Sequence, residues 1–517
     1  MRRTYATFIL IAIAGLSIWL VRDSQIPFWI AGPVQVAFYA IALVISGRLL
    51  FARPHGALLF VLLAAALLFP FGVLLRTYGF VDLIAFTFHF QAGITLESMS
   101  DSFRPMIVVA GALVFFTLAI YHLGSLWNRM RDIAVAGAAV ILVMNPVVGG
   151  AYSALTIGLD PLGLAGRITP PALAGVATPP TTNPDLIVIY LEGTEQGYAD
   201  RDLFGDIYDP LRSLWPEAAV LSNIAQITAT NWSIAGMSAT QCGLPLLPDG
   251  IIAHNLFHLK TEFLDGHICL GDVLNIRGYH SEFIVGGEAF FAGITHFYNT
   301  HQFDEQIDLA DFVDSFSAEE YTAAFSEWVV DDQMVFDMAR QRYRQNQQRE
   351  GAFALVVETF GPHGPMHLLS RRCTRNGLAT LVNDMRPAVR CLADEVLEFV
   401  RFVQAESAGR ETVFLILSDH LGHDPALRRM MQADERRNTA MIIGPDRAGT
   451  VIDSPGSMID IYPTLLDYLG LIPPGGRAGL GVSLLGDTPS LVEELGITAL
   501  NDQLRYDPAI RDAIWRN

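Results

Sequence analysis

Phe414-Leu-Ile-Leu-Ser-Asp419-His420-Leu-Gly422 decides how the rest of this chain is read. The apolar run predicts a buried strand, and the chain then presents an acid and an imidazole at the strand's C-terminal edge. That edge is where open α/β sheets place their sites. A carboxylate beside an imidazole on a rigid strand is half of a divalent-metal site. Asp-His pairs also arise by chance, so the pair gains meaning only if the chain supplies the other half.

Working outward, Asp185-Leu-Ile-Val-Ile-Tyr-Leu191 is a second β-branched apolar run, and it ends in Glu192. Further strands are expected at 281–285, 352–357, 413–417 and 439–443, with helical patterns at 233–241, 318–345, 379–405 and 457–470. This alternation predicts an α/β domain with a mostly parallel central sheet. Two strand ends then bring Glu192, Asp419 and His420 to one place. The set is mostly oxygen with one imidazole, which suits one Mg²⁺ or Mn²⁺ ion and tolerates Zn²⁺. Taken alone, Glu192 reads as a solvated loop carboxylate.

Two more segments bear chemistry. Thr228-Ala-Thr230-Asn-Trp232-Ser233-Ile-Ala-Gly-Met crowds hydroxyls at a helix start. There, free backbone N–H groups and the helix dipole favour an alkoxide or a phosphate. Ser233 is the candidate nucleophile, with Thr230 as the alternative; an N-cap role accounts for either hydroxyl as well. Thr359-Phe-Gly-Pro-His363-Gly-Pro-Met-His367 places a histidine between turn residues after a strand. His363 there either meets a phosphate oxygen or is a surface-loop residue.

The 517 residues have a mean hydropathy of +0.35, which points to membrane segments. Apolar runs at about 4–21, 26–47, 56–75, 105–124 and 133–152 are long enough, or nearly so, to cross a bilayer. A five-span domain is therefore expected over 1–157, followed by a Pro/Gly-rich linker over 158–184, the α/β domain over 185–486 and a polar helical tail over 487–517. Residues 1–150 carry nine Arg, no Lys and five acids, whereas the whole chain is at −19, so the remainder is at −23. An acidic domain argues against a nucleic-acid partner. Arg2, Arg3, Arg48, Arg53, Arg129 and Arg131 flank alternate ends of the spans. Placing them on the cytoplasmic side puts the α/β domain outside the cytoplasm. In an oxidising compartment Cys242, Cys269, Cys373 and Cys391 would pair, most simply as 242–269 and 373–391, although four cysteines allow three pairings. In a reducing one they would be buried thiols.

Together, Glu192, the hydroxyl at the helix start, Gly-x-His363-Gly-Pro, Ser-Asp419-His420 and Asp460-Ile-Tyr-Pro-Thr-Leu-Leu-Asp-Tyr-Leu-Gly470 resemble the sulfatase-like branch of the alkaline phosphatase superfamily. The spans narrow the resemblance to its membrane-bound transferases, among them the lipoteichoic acid synthases and the phosphoethanolamine transferases. Trp232-Ser-Ile-Ala-Gly-Met-Ser-Ala-Thr-Gln-Cys-Gly-Leu-Pro, Ile268-Cys-Leu-Gly-Asp-Val-Leu, Gly278-Tyr and the cysteine positions are similar to the phosphoglycerol transferases of osmoregulated periplasmic glucans.

That resemblance implies a bacterial inner-membrane enzyme with a periplasmic catalytic domain. Phosphatidylglycerol would be the lipid donor, a periplasmic glucan the acceptor and diacylglycerol the product. It implies a metal held by Glu192, Ser233, Asp419 and His420, and substrate contacts from His363, His423 and Trp232. His423 and Asp424 are the residues that would serve a second metal, though substrate contact or a turn cap is the simpler role for His423. Two departures stand out. The family's hydroxyl after the tryptophan is usually Thr, and the Gly-x-His-Gly-Pro loop is closer to the phosphoethanolamine transferases, the alternative reading. A sulfatase needs Cys or Ser in a Cys/Ser-x-Pro-x-Arg context, which Ser233-Ile-Ala-Gly-Met lacks.

Overall fold

The computed structural model describes residues 162–173, 183–249, 254–364, 366–407, 409–423, 430–431 and 435–516. The five expected spans and Asp424 lie outside the described residues. Among the described residues, no helix is long and apolar enough to cross a membrane. The chain divides into two compact units, Met1–Leu159 and Asp160–Asn517.

The second unit is built on an eight-stranded sheet. In chain order its strands are β1 (Asp185–Leu191), β2 (Ala218–Leu221), β3 (His280–Val285), β4 (Glu305–Ile307), β5 (Phe353–Glu358), β6 (Thr412–Ser418), β7 (Ala440–Ile443) and β8 (Thr450–Ile452). They lie in the order β8-β2-β7-β6-β1-β5-β3-β4. β1 is central and runs parallel to β6 and β5, with Leu191 opposite Ser418 and Tyr190 opposite Glu358. β7 alone runs antiparallel to its neighbours, β6 and β2.

All seven residues of β1 are buried, as a strand covered on both faces requires. Leu186, Val188 and Tyr190 face one core, with Val356 and Leu415, and two helices cover it: α1 (Ser233–Cys242) and α4 (Met458–Tyr468). Ile187, Ile189 and Leu191 face the other, beneath α2 (Asp332–Asn346) and α3 (Met385–Glu406). The result is a three-layer α/β/α domain. Because every parallel strand ends on the same side, the residues after β1, β5 and β6 gather at one edge.

The helical pattern read over 318–345 is interrupted. A helix over Ala318–Ala324 gives way to a hairpin of Phe325–Ser326 and Val329–Val330 before α2 starts. The reason is local: Glu327 adopts a φ of 58° at the hairpin tip, and aromatic and β-branched residues flank it. The pattern over 379–405 likewise opens with a strand, Thr380–Val382, before α3. The tail holds three helices, of which α5 (Ile497–Tyr506) contacts the segment before α1. Both disulfides take the simplest pairing, Cys242–Cys269 and Cys373–Cys391. The first ties the end of α1 to the helix Leu270–Ile276, and the second ties the turn after His367–Leu369 to α3.

Candidate active site

Glu192, Asp419 and His420 stand where β1 and β6 end. All three are buried, and one ligand atom from each lies within 4.8 Å of the others. Backbone groups fix their geometry. The N–H groups of Gly193 and His420 donate to Asp419 Oδ1 at 2.9 and 2.8 Å, leaving Oδ2 without a hydrogen-bond partner. Glu192 Oε2 is also unpartnered. His420 Nδ1 lies 2.9 Å from the Leu421 carbonyl, which only accepts, so Nδ1 carries the proton. Burial pushes His420 down to about 4, so at neutral pH the ring is uncharged and Nε2 presents a lone pair. That lone pair sits 3.1 Å from Asp419 Oδ2 and 3.5 Å from Glu192 Oε1.

Three electron-rich atoms converging without a donor are stable only around a cation or a proton. Burial first, then the neighbouring Asp419, raises Glu192 well above the carboxylate range. Burial raises Asp419 to about 6 against the pull of the Gly193 N–H, Ser233 and the His420 N–H. The donor set fits a divalent ion: two carboxylates and a neutral imidazole whose tautomer is set by a carbonyl, the usual support of a metal-bound histidine.

Ser233 is the first residue of α1, and Trp232, half-buried and extended, precedes it as the N-cap. The Ser233 hydroxyl lies beside Asp419 and Glu358 and draws both carboxylates down. Thr230 is engaged elsewhere. Its hydroxyl donates to the Ile227 carbonyl at 2.9 Å and accepts from the Ile227 N–H at 3.2 Å, closing a turn. α1 reaches the site because Gly236 lies against it; a Cβ there would stand 1.8 Å from the Asp419 carbonyl oxygen.

His423 stacks on His420, with ring centroids 4.4 Å apart and planes 7° from parallel. Its Nε2 lies 2.9 Å from the Asn231 carbonyl, linking the loop after β6 to the segment before Ser233. His363 is half-buried after β5. Burial holds it below its ordinary value, while Asp419 pulls it up. It lines a cavity of about 190 Å³ with Trp328, Phe360 and Met366, and its ring meets Trp328 edge-on at 5.7 Å.

Sequence reading missed four supports. Glu358 ends β5 as Glu192 follows β1, and an acid at a strand end was the available signal. Asp332 accepts from the Phe360 and Gly361 N–H groups at 2.7 and 2.8 Å, anchoring the loop that carries His363. Glu195, buried with Arg436, accepts from the Gly422 N–H at 2.9 Å and so straps together the loops after β1 and β6. A fourth support comes from the tail, where Asn501 Oδ1 accepts from the Thr228 N–H at 2.7 Å and from its hydroxyl at 3.1 Å.

With this geometry in view, comparison with known proteins gives the class first. The sulfatase family model matches residues 184–471, and the chain belongs to that family. Its relatives include proteins named phosphoglycerol transferase I. That of Xanthomonas campestris pv. campestris (strain B100) is 29% identical over 466 residues, covering 87% of this chain and 64% of the relative. That of Xanthomonas euvesicatoria is 28% identical over 446 residues, covering 83% and 62%. The chain thus spans less than two thirds of the length of these relatives. The chain is also similar to two solved structures. One is the lipoteichoic acid synthase LtaP of Listeria monocytogenes (17% identity, TM-score 0.45, 59% of this chain and 76% of that one). The other is the C-terminal periplasmic domain of EcEptC from Escherichia coli in complex with Zn (12% identity, TM-score 0.40, 62% and 92%).

Proposed function

We propose that the protein is a membrane-bound phosphoglycerol transferase that moves phosphoglycerol from phosphatidylglycerol to a periplasmic glucan and releases diacylglycerol. The observation that carries this reading is the buried Glu192–Asp419–His420 cluster, with unpartnered oxygens and a bare Nε2, beside a hydroxyl at the head of α1. Glu192, Asp419, His420 and Ser233 would hold one divalent ion, with Mn²⁺ or Mg²⁺ suited to the oxygen-rich set. Such an ion, when bound, lowers a hydroxyl's pKa and withdraws charge from phosphoryl oxygens.

Ser233 Oγ attacks the headgroup phosphorus, a bond forms from Oγ to phosphorus, and the ester bond to diacylglycerol breaks. His363, which lines its cavity, contacts a phosphate oxygen or gives a proton to the departing diacylglycerol oxygen. A glucan hydroxyl then attacks the phosphoglyceryl-serine and frees Ser233. Trp232, next to Ser233, and His423, stacked on His420, would contact the substrate. Tethering by the five expected spans, with the domain in the periplasm of a bacterial inner membrane, raises the effective concentration of a lipid donor.

Phosphoethanolamine transfer is the second reading, favoured by the Gly361-Pro362-His363-Gly364-Pro365 loop. Purified protein given labelled phosphatidylglycerol, Mn²⁺ and glucan should release diacylglycerol and label the glucan. Release from phosphatidylethanolamine alone would shift the reading to the second, and no release with any divalent ion would sink both. Mass spectrometry of the trapped peptide should find phosphoglycerol on Ser233; a modified Thr230 would reassign the nucleophile.

A further inference from the structure

Glu358 is the last residue of β5, paired with Tyr190 of β1 and Val285 of β3. Along β5, Ala354 and Val356 face the core under α1, whereas Phe353, Leu355 and Val357 face the other. Alternation therefore turns Glu358 toward α1. It is fully buried there, and neither carboxylate oxygen has a hydrogen-bond partner of good geometry. Asp419, Glu192 and Asp332 all raise its pKa as like charges, the phenols of Tyr190 and Tyr298 are near it, and the hydroxyl beside it is that of Ser233.

Leaving such a group unpaired costs several kcal/mol in general, so a buried carboxylate persists where something compensates it. Glu358 is not one of the trio whose ligand atoms converge within 4.8 Å, but the Ser233 hydroxyl lies beside both Glu358 and Asp419 of that trio. A serine side chain at the start of a helix has several staggered positions open to it. A buried acceptor beside it selects one of them and so fixes where Oγ stands next to the trio.

We propose that Glu358 is a positioning residue: its carboxylate receives the Ser233 hydroxyl and, as an outer carboxylate of the cation site, holds Oγ against the ion bound by Glu192, Asp419 and His420. The inference rests on the function proposed above. Supporting carboxylates of this kind typically account for about ten- to a hundredfold in metal affinity.

The test is calorimetric titration of EDTA-stripped, full-length protein with Mn²⁺, alongside steady-state kinetics with phosphatidylglycerol. Glu358→Gln should weaken Mn²⁺ binding by about ten- to a hundredfold. It should lower kcat with little change in KM and melt no lower than the wild type without cation. Glu358→Asp should recover part of both losses. The double variant Ser233→Ala/Glu358→Gln should bind Mn²⁺ no more weakly than Ser233→Ala alone. Unchanged Mn²⁺ affinity in Glu358→Gln, or strictly additive losses in the double variant, would overturn the role of Glu358 and leave the metal site standing. Mn²⁺ binding that Asp419→Asn does not remove would overturn the metal site and this inference with it.

Discussion

The two ends of the central strands treat the same kind of residue in opposite ways. At the start of β1, Asp185 is buried, but Arg410 grips both its oxygens at 2.7 and 2.5 Å and the Phe353 N–H donates to it. On β3, buried Glu282 is likewise held by Arg342 and Asn346. At the C-terminal end, Glu192, Glu358 and Asp419 are as deeply buried, and among the described residues no Arg or Lys forms an ion pair with them. The first arrangement is complete within the chain. The second is completed by a proton or a cation from outside, and the ends of one sheet thereby separate architecture from chemistry.

The largest expected effect breaks the C-terminal end. Asp419→Asn and Ser233→Ala should each lower headgroup transfer by about 10³-fold or more, measured as diacylglycerol release. The cation-free melting temperature of Asp419→Asn should not fall, because an uncompensated buried carboxylate has been removed. The opposite end should invert the pattern. Arg410→Met strands Asp185 and should cost about 3 kcal/mol in denaturant unfolding, with kcat per folded molecule unchanged. Gly236→Ala presses a methyl group onto the Asp419 carbonyl and should cost roughly 1–3 kcal/mol together with Mn²⁺ affinity. A normal titration curve for that variant would show that α1 can withdraw from the site.

The smallest effect is a pH slope. Folded, cation-free Asp419 titrates at about 6, above its ordinary 3.8, and Glu192 and Glu358 shift the same way. A group that binds its proton more tightly when folded contributes fully below the unfolded pKa and loses that contribution as pH rises through the folded one. Relative to Asp419→Asn, EDTA-treated wild-type protein should therefore lose a few degrees of melting temperature between about pH 4 and pH 6, and Mn²⁺ should flatten the difference. A difference that rises with pH in EDTA would contradict the burial of Asp419.

Much of this was legible in the sequence because β1 and β6 are buried on both faces, and continuous apolar runs announce such strands. The acids that follow them were readable for the same reason. β2 was not: Ala218–Leu221 is four residues long, and its place beside β7 depends on partners more than 200 residues away. The antiparallel course of β7 is a tertiary outcome with no local signature. Glu358 shared the strand-end signal of Glu192, but its lack of partners follows from where α1 lies, and local pattern does not encode that. Ser233 and Thr230 were equivalent on paper; the Ile227 turn that occupies the Thr230 hydroxyl distinguishes them in three dimensions.

The Asn501–Thr228 contact bears on how this domain can be dissected. The family match stops at residue 471, and a fragment trimmed there would look complete by homology. It would lack the side chain that pins the approach to Ser233 from α5, so the peptide leading into α1 would be released at its N-terminal side. A shortened protein of that kind should lose stability as well as turnover, because Leu480, Leu500, Ile510 and Ile514 are buried in the core beneath α1 and α4. Boundaries for a water-soluble fragment should therefore be drawn beyond the final helix, at residue 516 or later.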